Sequence, residues 1–140
     1  MWKIRFTRFC LIPTVALFAN AEVICDKVRP LRPVRCVCGK LIDPTGGPVS
    51  GATVKVVKDG MDIATIKTCG DGIFLFSGLK SGSYELSTKT DYLVPFRSLI
   101  VVVNPTTQCK RGLLIQLEVP YPDNCGSFIS KRIRLPKNSN

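Results

Sequence analysis

Short runs rich in Val, Ile, Phe and Thr, each closed by a cluster of Gly, Pro, Asp or Asn, recur at intervals of about ten residues from Cys36 onward, and no window sustains a helical period. Turns that frequent leave little room for helices and fold a chain into short strands laid in two facing layers. Seven strands are predicted, at 36–42, 52–58, 63–68, 72–76, 83–89, 96–103 and 112–119. Alternation sets their faces. Ala52, Val54 and Val56 point inward on the second, Phe74 and Phe76 on the fourth, and Tyr84 and Leu86 on the fifth, with Thr53 and Lys55 toward solvent. With 45% hydrophobic residues, the 140-residue chain has the apolar content of one folded all-β domain.

The turns are chemically explicit. In the run Asp43, Pro44, Thr45, Gly46, Gly47, Pro48, proline fixes φ, glycine supplies positive φ, and the Asp43 carboxylate can accept bonds from nearby amides. Lys58-Asp59-Gly60 and Gly70-Asp71-Gly72 read as further hairpin reversals. A calcium loop needs several oxygen ligands at set spacing, which these Asp-Gly sites lack, so they are assigned to turns.

Ahead of this pattern, residues 1–21 carry Lys3, Arg5 and Arg8, an apolar stretch from Phe9 to Phe18, and the small-x-small triplet Ala19-Asn20-Ala21. These are the parts of a cleaved secretory signal peptide. The apolar stretch is roughly half the length of a bilayer span and is broken by Pro13, so the mature form is expected to have no transmembrane segment. Residues 22–35, with Pro30 and Pro33 among arginines, read as an extended N-terminal arm, 36–120 as the sandwich and 121–140 as a basic C-terminal tail. Ile129, Ile133 and Leu135 alternate with polar positions in that tail, which suits an added edge strand or a packed arm.

Cleavage after Ala21 leaves 17 basic against 10 acidic residues and six cysteines, Cys25, Cys36, Cys38, Cys69, Cys109 and Cys125. An even count in an exported chain points to disulfides, up to three here, among 15 possible connectivities that spacing does not separate. Cys36 and Cys38 stand one residue apart on a strand and point to one face, so each is expected to pair with a remote partner. Their C-x-C spacing is not the C-x-x-C of zinc or redox sites, and no metal or cofactor is assigned.

Three motifs in order carry a resemblance. The run Gly39 to Val54 (GKLIDPTGGPVSGATV) resembles the opening signature of carboxypeptidase regulatory-like domains. Thr68 to Phe76 is similar to that family's Thr-Asp-x-x-Gly-x-Phe-x-Phe step, and Ser77 to Leu86 to its Leu-x-x-Gly-x-Tyr-x-Leu step. The resemblance covers about residues 36–120 and implies a prealbumin-like (transthyretin-like) fold, a seven-stranded Greek-key β-sandwich. Such modules accompany metallocarboxypeptidases, outer-membrane transporters and surface adhesins as non-catalytic folding, docking or binding units. Two departures stand out: Cys69 occupies a place where Asp is common, and Asp91-Tyr92 stands where Gly-Tyr is usual.

The chain contains no histidine, which removes Ser-His-Asp and Cys-His relays and His-ligated metal sites. Hydroxyisourate hydrolases resemble this architecture but rely on histidines, so the expectation is a protein that is not an enzyme. An enzyme built on a carboxylate pair such as Asp62 and Asp71 is the distant rival. The leading expectation is a secreted module, extracellular or periplasmic, that binds a protein or polysaccharide of the envelope or matrix. Its binding surface is placed at Tyr92, Phe96 and Arg97 after the fifth strand and at Lys131, Arg132 and Arg134 in the tail. Lys110, Arg111, Arg29, Arg32 and Arg35 add basic clusters able to attract polyanions or anionic surfaces weakly. Nucleic acid is not expected, because no aromatic-basic stacking platform is present. The alternative is a structural accessory subunit joined to a surface assembly by its edge strand or tail.

Overall fold

A computed structural model describes residues 33–121 and 126–137. Eight strands follow one another: β1 (Val37–Ile42), β2 (Thr53–Lys58), β3 (Met61–Lys67), β4 (Ile73–Phe76), β5 (Gly82–Lys89), β6 (Phe96–Val102), β7 (Arg111–Gln116) and β8 (Phe128–Arg134). They form two four-stranded sheets, ordered β4-β1-β7-β8 and β3-β2-β5-β6. Strand β1 runs parallel to β7, with Gly39 opposite Leu113 and Leu41 opposite Ile115, while the other neighbours are antiparallel. The result is the expected prealbumin-like sandwich, with an eighth strand built from the tail. The predicted signal peptide and most of the arm lie outside the described residues, as do Cys25 and Cys125. Among the described residues no helix is long and apolar enough to cross a membrane.

Period-two alternation places the core. Val54, Val56, Phe74, Phe76, Tyr84 and Leu86 are buried as their positions require, joined by Leu41, Ile100, Leu113 and Ile115 from facing strands. Removing this much apolar surface from water is the main stabilising contribution. Gly39, at the centre of the first sheet, has no room for a side chain: a Cβ there would lie 2.8 Å from Phe74 Cζ and collide with the Leu113 carbonyl oxygen. Glycine at this position lets the Phe74 ring fill the space above β1.

Two reversals behave differently from each other. Asp59 and Gly60 both have positive φ, 51° and 76°, and join β2 to β3 as a tight hairpin. Gly70-Asp71-Gly72 is not a hairpin turn, since it carries the chain from β3 in one sheet to β4 in the other. The cause is Thr68, which is buried and whose hydroxyl donates to the Val49 carbonyl at 2.7 Å and accepts from the Ala52 amide at 3.0 Å. That anchor holds the end of β3 to the 49–52 segment, and the chain then turns toward the opposite layer. Asp43 acts as expected: Oδ1 accepts from the amides of Thr45 and Gly47, both at 2.9 Å, and from the Thr45 hydroxyl at 2.6 Å.

The arm and tail are both tied to the sandwich. Val34 is buried and bridges Val102 in parallel, extending the second sheet beyond β6. Strand β8 pairs with β7 along its length, and the Ser127 hydroxyl accepts from the Glu118 amide and donates to the Val94 carbonyl.

Candidate functional site

The loop entering β7 gathers the chain's chemistry. Cys109, Lys110 and Arg111 stand where that loop meets the beginning of β1 and the end of β8, and two open hollows flank them. One, of about 730 Å³, has Ile73, Leu75 and Leu135 as apolar walls and Lys110, Arg111, Arg134 and Lys137 as a basic rim. The other, of about 610 Å³, is bordered by Arg35, Cys36, Gln108, Lys110, Arg111 and Arg132. Thr107, Gln108, Lys110 and Arg111 border both, so the two hollows form one groove divided by the loop.

Strand pairing concentrates the positive charge. Arg111 on β7 lies directly opposite Arg134 on β8, and Leu113 lies opposite Arg132. Like charges placed across a ladder repel each other. The Arg35 guanidinium donates to the Asn104 carbonyl at 3.1 Å, which fixes it at the margin. The ion pairs Lys55–Asp62 and Arg97–Glu85 both belong to the other sheet, so neither neutralises the groove.

The cysteines converge here too. Cys36 and Cys38 lie on one face as expected, and among the described residues both stand within bonding reach of the same remote cysteine, Cys109, with Cα separations of 5.6 and 6.4 Å. One sulfur makes one disulfide, so Cys109 closes a bridge with either Cys36 or Cys38 and not with both. Cys69 is exposed and has no disulfide partner among the described residues. Three thiolates this close could also hold a thiophilic metal when reduced.

The predicted binding residues are not brought together. Arg132 and Arg134 border the groove, one on each hollow. Lys131 is exposed on β8 but borders neither hollow. Arg97 lies on β6 in the other sheet and is held by Glu85 at 2.8 Å, a contact that raises its pKa. Phe96 offers no surface, because its ring belongs to the core at 3% exposure. Tyr92 is 64% exposed but borders neither hollow. Asp62 is paired with Lys55 and Asp71 accepts from the Ile73 amide, so each carboxylate is engaged separately. The groove walls contributed by Ile73 and Leu75 escape sequence reading because they are remote in the chain from the loop; the visible signal is a cysteine followed directly by Lys110 and Arg111.

The family model for the carboxypeptidase regulatory-like domain matches residues 37–113, more than half of the chain. No curated protein matches it. Among solved structures the chain is similar to a 5-hydroxyisourate hydrolase from Klebsiella pneumoniae, with 18% identity and a TM-score of 0.51 over 72% of this chain and 99% of that one. At that identity the likeness shows the fold. It also corrects one expectation: the same sandwich serves as the whole body of an enzyme, so the reading of this chain as not an enzyme does not stand. Absence of histidine removes histidine-dependent mechanisms and no others.

Proposed function

This chain belongs to the carboxypeptidase regulatory-like domain family, and from that premise we propose that it is an exported binding module whose β7–β8 groove takes an acidic segment of an envelope or matrix protein or polysaccharide. The observation that carries this reading is the cross-strand pair Arg111 and Arg134, with Arg35, Lys110 and Arg132 around the same loop. Repulsion among these groups is relieved by an anion set between them, and guanidinium groups recognise carboxylates or sulfates in bidentate fashion. Export is supported by the signal-like segment at residues 1–21 and by disulfide formation at Cys109.

Joining an assembly by strand addition is the second reading, favoured by the position of β8 at the edge of its sheet. Lys131, Arg132 and Arg134 oppose it, because charged side chains on an edge strand discourage further pairing. Calorimetric titration with polyglutamate, a sulfated polysaccharide and a neutral polysaccharide tests the proposal. Binding to an acidic polymer but not to the neutral one is the expected result, and indifference to all three overturns it.

A further inference from the structure

We propose that Cys36, Cys38 and Cys109 form a thiol–disulfide exchange centre in which one bridge moves between Cys36–Cys109 and Cys38–Cys109, and so hides or presents a thiol. Both Cα separations, 5.6 and 6.4 Å, lie within the range a disulfide spans without backbone movement. The three sulfurs lie within 4.8 Å of one another, and the outer two, of Cys36 and Cys38, are 3.9 Å apart. The Cα positions therefore let Cys109 close a bridge with either cysteine while the other stays beside it.

The step balances without an outside oxidant. With the bridge at Cys36–Cys109, the Cys38 thiol gives up its proton and its thiolate attacks Cys109 Sγ. A Cys38–Cys109 bond forms, the Cys36–Cys109 bond breaks, and its electron pair leaves on Cys36 Sγ, which takes up a proton. No net oxidation occurs.

The two end states differ in exposure. Cys38 is buried at 1% and its sulfur lies 3.6 Å from the Arg111 carbonyl oxygen, so a thiol left there is shielded. Cys36 is half-buried and borders the smaller hollow beside Arg35, Lys110 and Arg111. A thiol left at Cys36 therefore faces the hollow and solvent, within reach of a reagent. Moving the bridge by two residues turns a protected thiol into an accessible one, whatever ligand the groove takes.

Differential alkylation of the full exported chain tests this. Protein equilibrated in slightly alkaline buffer is quenched in acid, unfolded and alkylated with N-ethylmaleimide. It is then reduced, alkylated with iodoacetamide and cut with trypsin, which releases residues 36–40 between Arg35 and Lys40. Fragmentation of that peptide shows which cysteine carried the thiol. Two forms are expected, one with maleimide on Cys36 and one with it on Cys38. Alkylating the native protein instead should convert the whole population to the Cys36-labelled form, and Cys38→Ser should abolish that labelling. A single form after acid quenching, or a peptide with no thiol on either cysteine because another cysteine holds it, overturns the proposal.

Discussion

Arg111 and Arg134 stand directly opposite each other across β7 and β8, two cations on paired strands. A sequence selected for stability alone would not place them so. Substituting Arg134→Ser is expected to raise stability slightly, by about 0.5 kcal/mol, while weakening binding to acidic polymers. Urea unfolding of the variant beside the parent checks the first half. A loss of stability would mean that the pair is tolerated for packing and not for a ligand.

Thr68 holds two buried backbone groups at once, the Val49 carbonyl and the Ala52 amide. Thr68→Val keeps the shape and removes the hydroxyl, leaving both groups without that partner. The expected cost is about 2–4 kcal/mol, whereas Thr68→Ser, which keeps the oxygen, should cost clearly less. Equal losses in chemical denaturation would assign the effect to the methyl group.

Gly39 carries a steric prediction. Gly39→Ala drives a Cβ into the Leu113 carbonyl and the Phe74 ring, and either β1 or β7 must shift. A destabilisation of about 3 kcal/mol is expected, and pairing it with Phe74→Leu should recover part of that loss. An unaffected thermal midpoint in the single variant would contradict the packing described.

Acid should loosen the loop between β1 and β2. The Thr45 hydroxyl, followed by the amides of Gly47 and Thr45, holds the Asp43 carboxyl below its ordinary pKa, against an opposing effect of desolvation. A group depressed by folding stabilises the native state above its unfolded pKa, and that contribution is lost as pH falls below about 4 through the folded value. Asp43→Asn should flatten this part of the stability profile. Denaturation midpoints followed through the acid range would show it, and an unchanged acid slope would count against the hydrogen-bonded turn.

Much of this fold is legible in the residues themselves. Alternation placed Val54, Val56, Phe74, Phe76, Tyr84 and Leu86 in the core because a half-buried strand allows only one choice of face. The Asp43 turn and the edge strand in the tail were readable for similar local reasons. What escaped was set by distant pairing. The turn at Gly70–Gly72 looks like a hairpin, yet it crosses to the other sheet, held by Thr68 to Val49 at its start and by Gly72 to Leu41 at its end. Phe96, at the start of the sixth predicted strand, reads as a surface residue until pairing with Thr88 turns it inward. The parallel register of β1 and β7 brings Cys36 and Cys38 to Cys109, more than seventy residues away, and no spacing rule reveals that.

The most direct test of the groove is the salt dependence of its binding to polyglutamate or a sulfated polysaccharide. Charge-driven association weakens steeply as ionic strength rises, and its salt slope falls as cations are removed. The parent should bind with a strong slope, and the triple variant Arg111→Ser, Arg132→Ser, Arg134→Ser should bind at least about tenfold more weakly with a shallower slope, while Lys55→Ser on the other sheet leaves both unchanged. Equal affinity and slope in the parent and the triple variant would contradict the β7–β8 groove as the binding site.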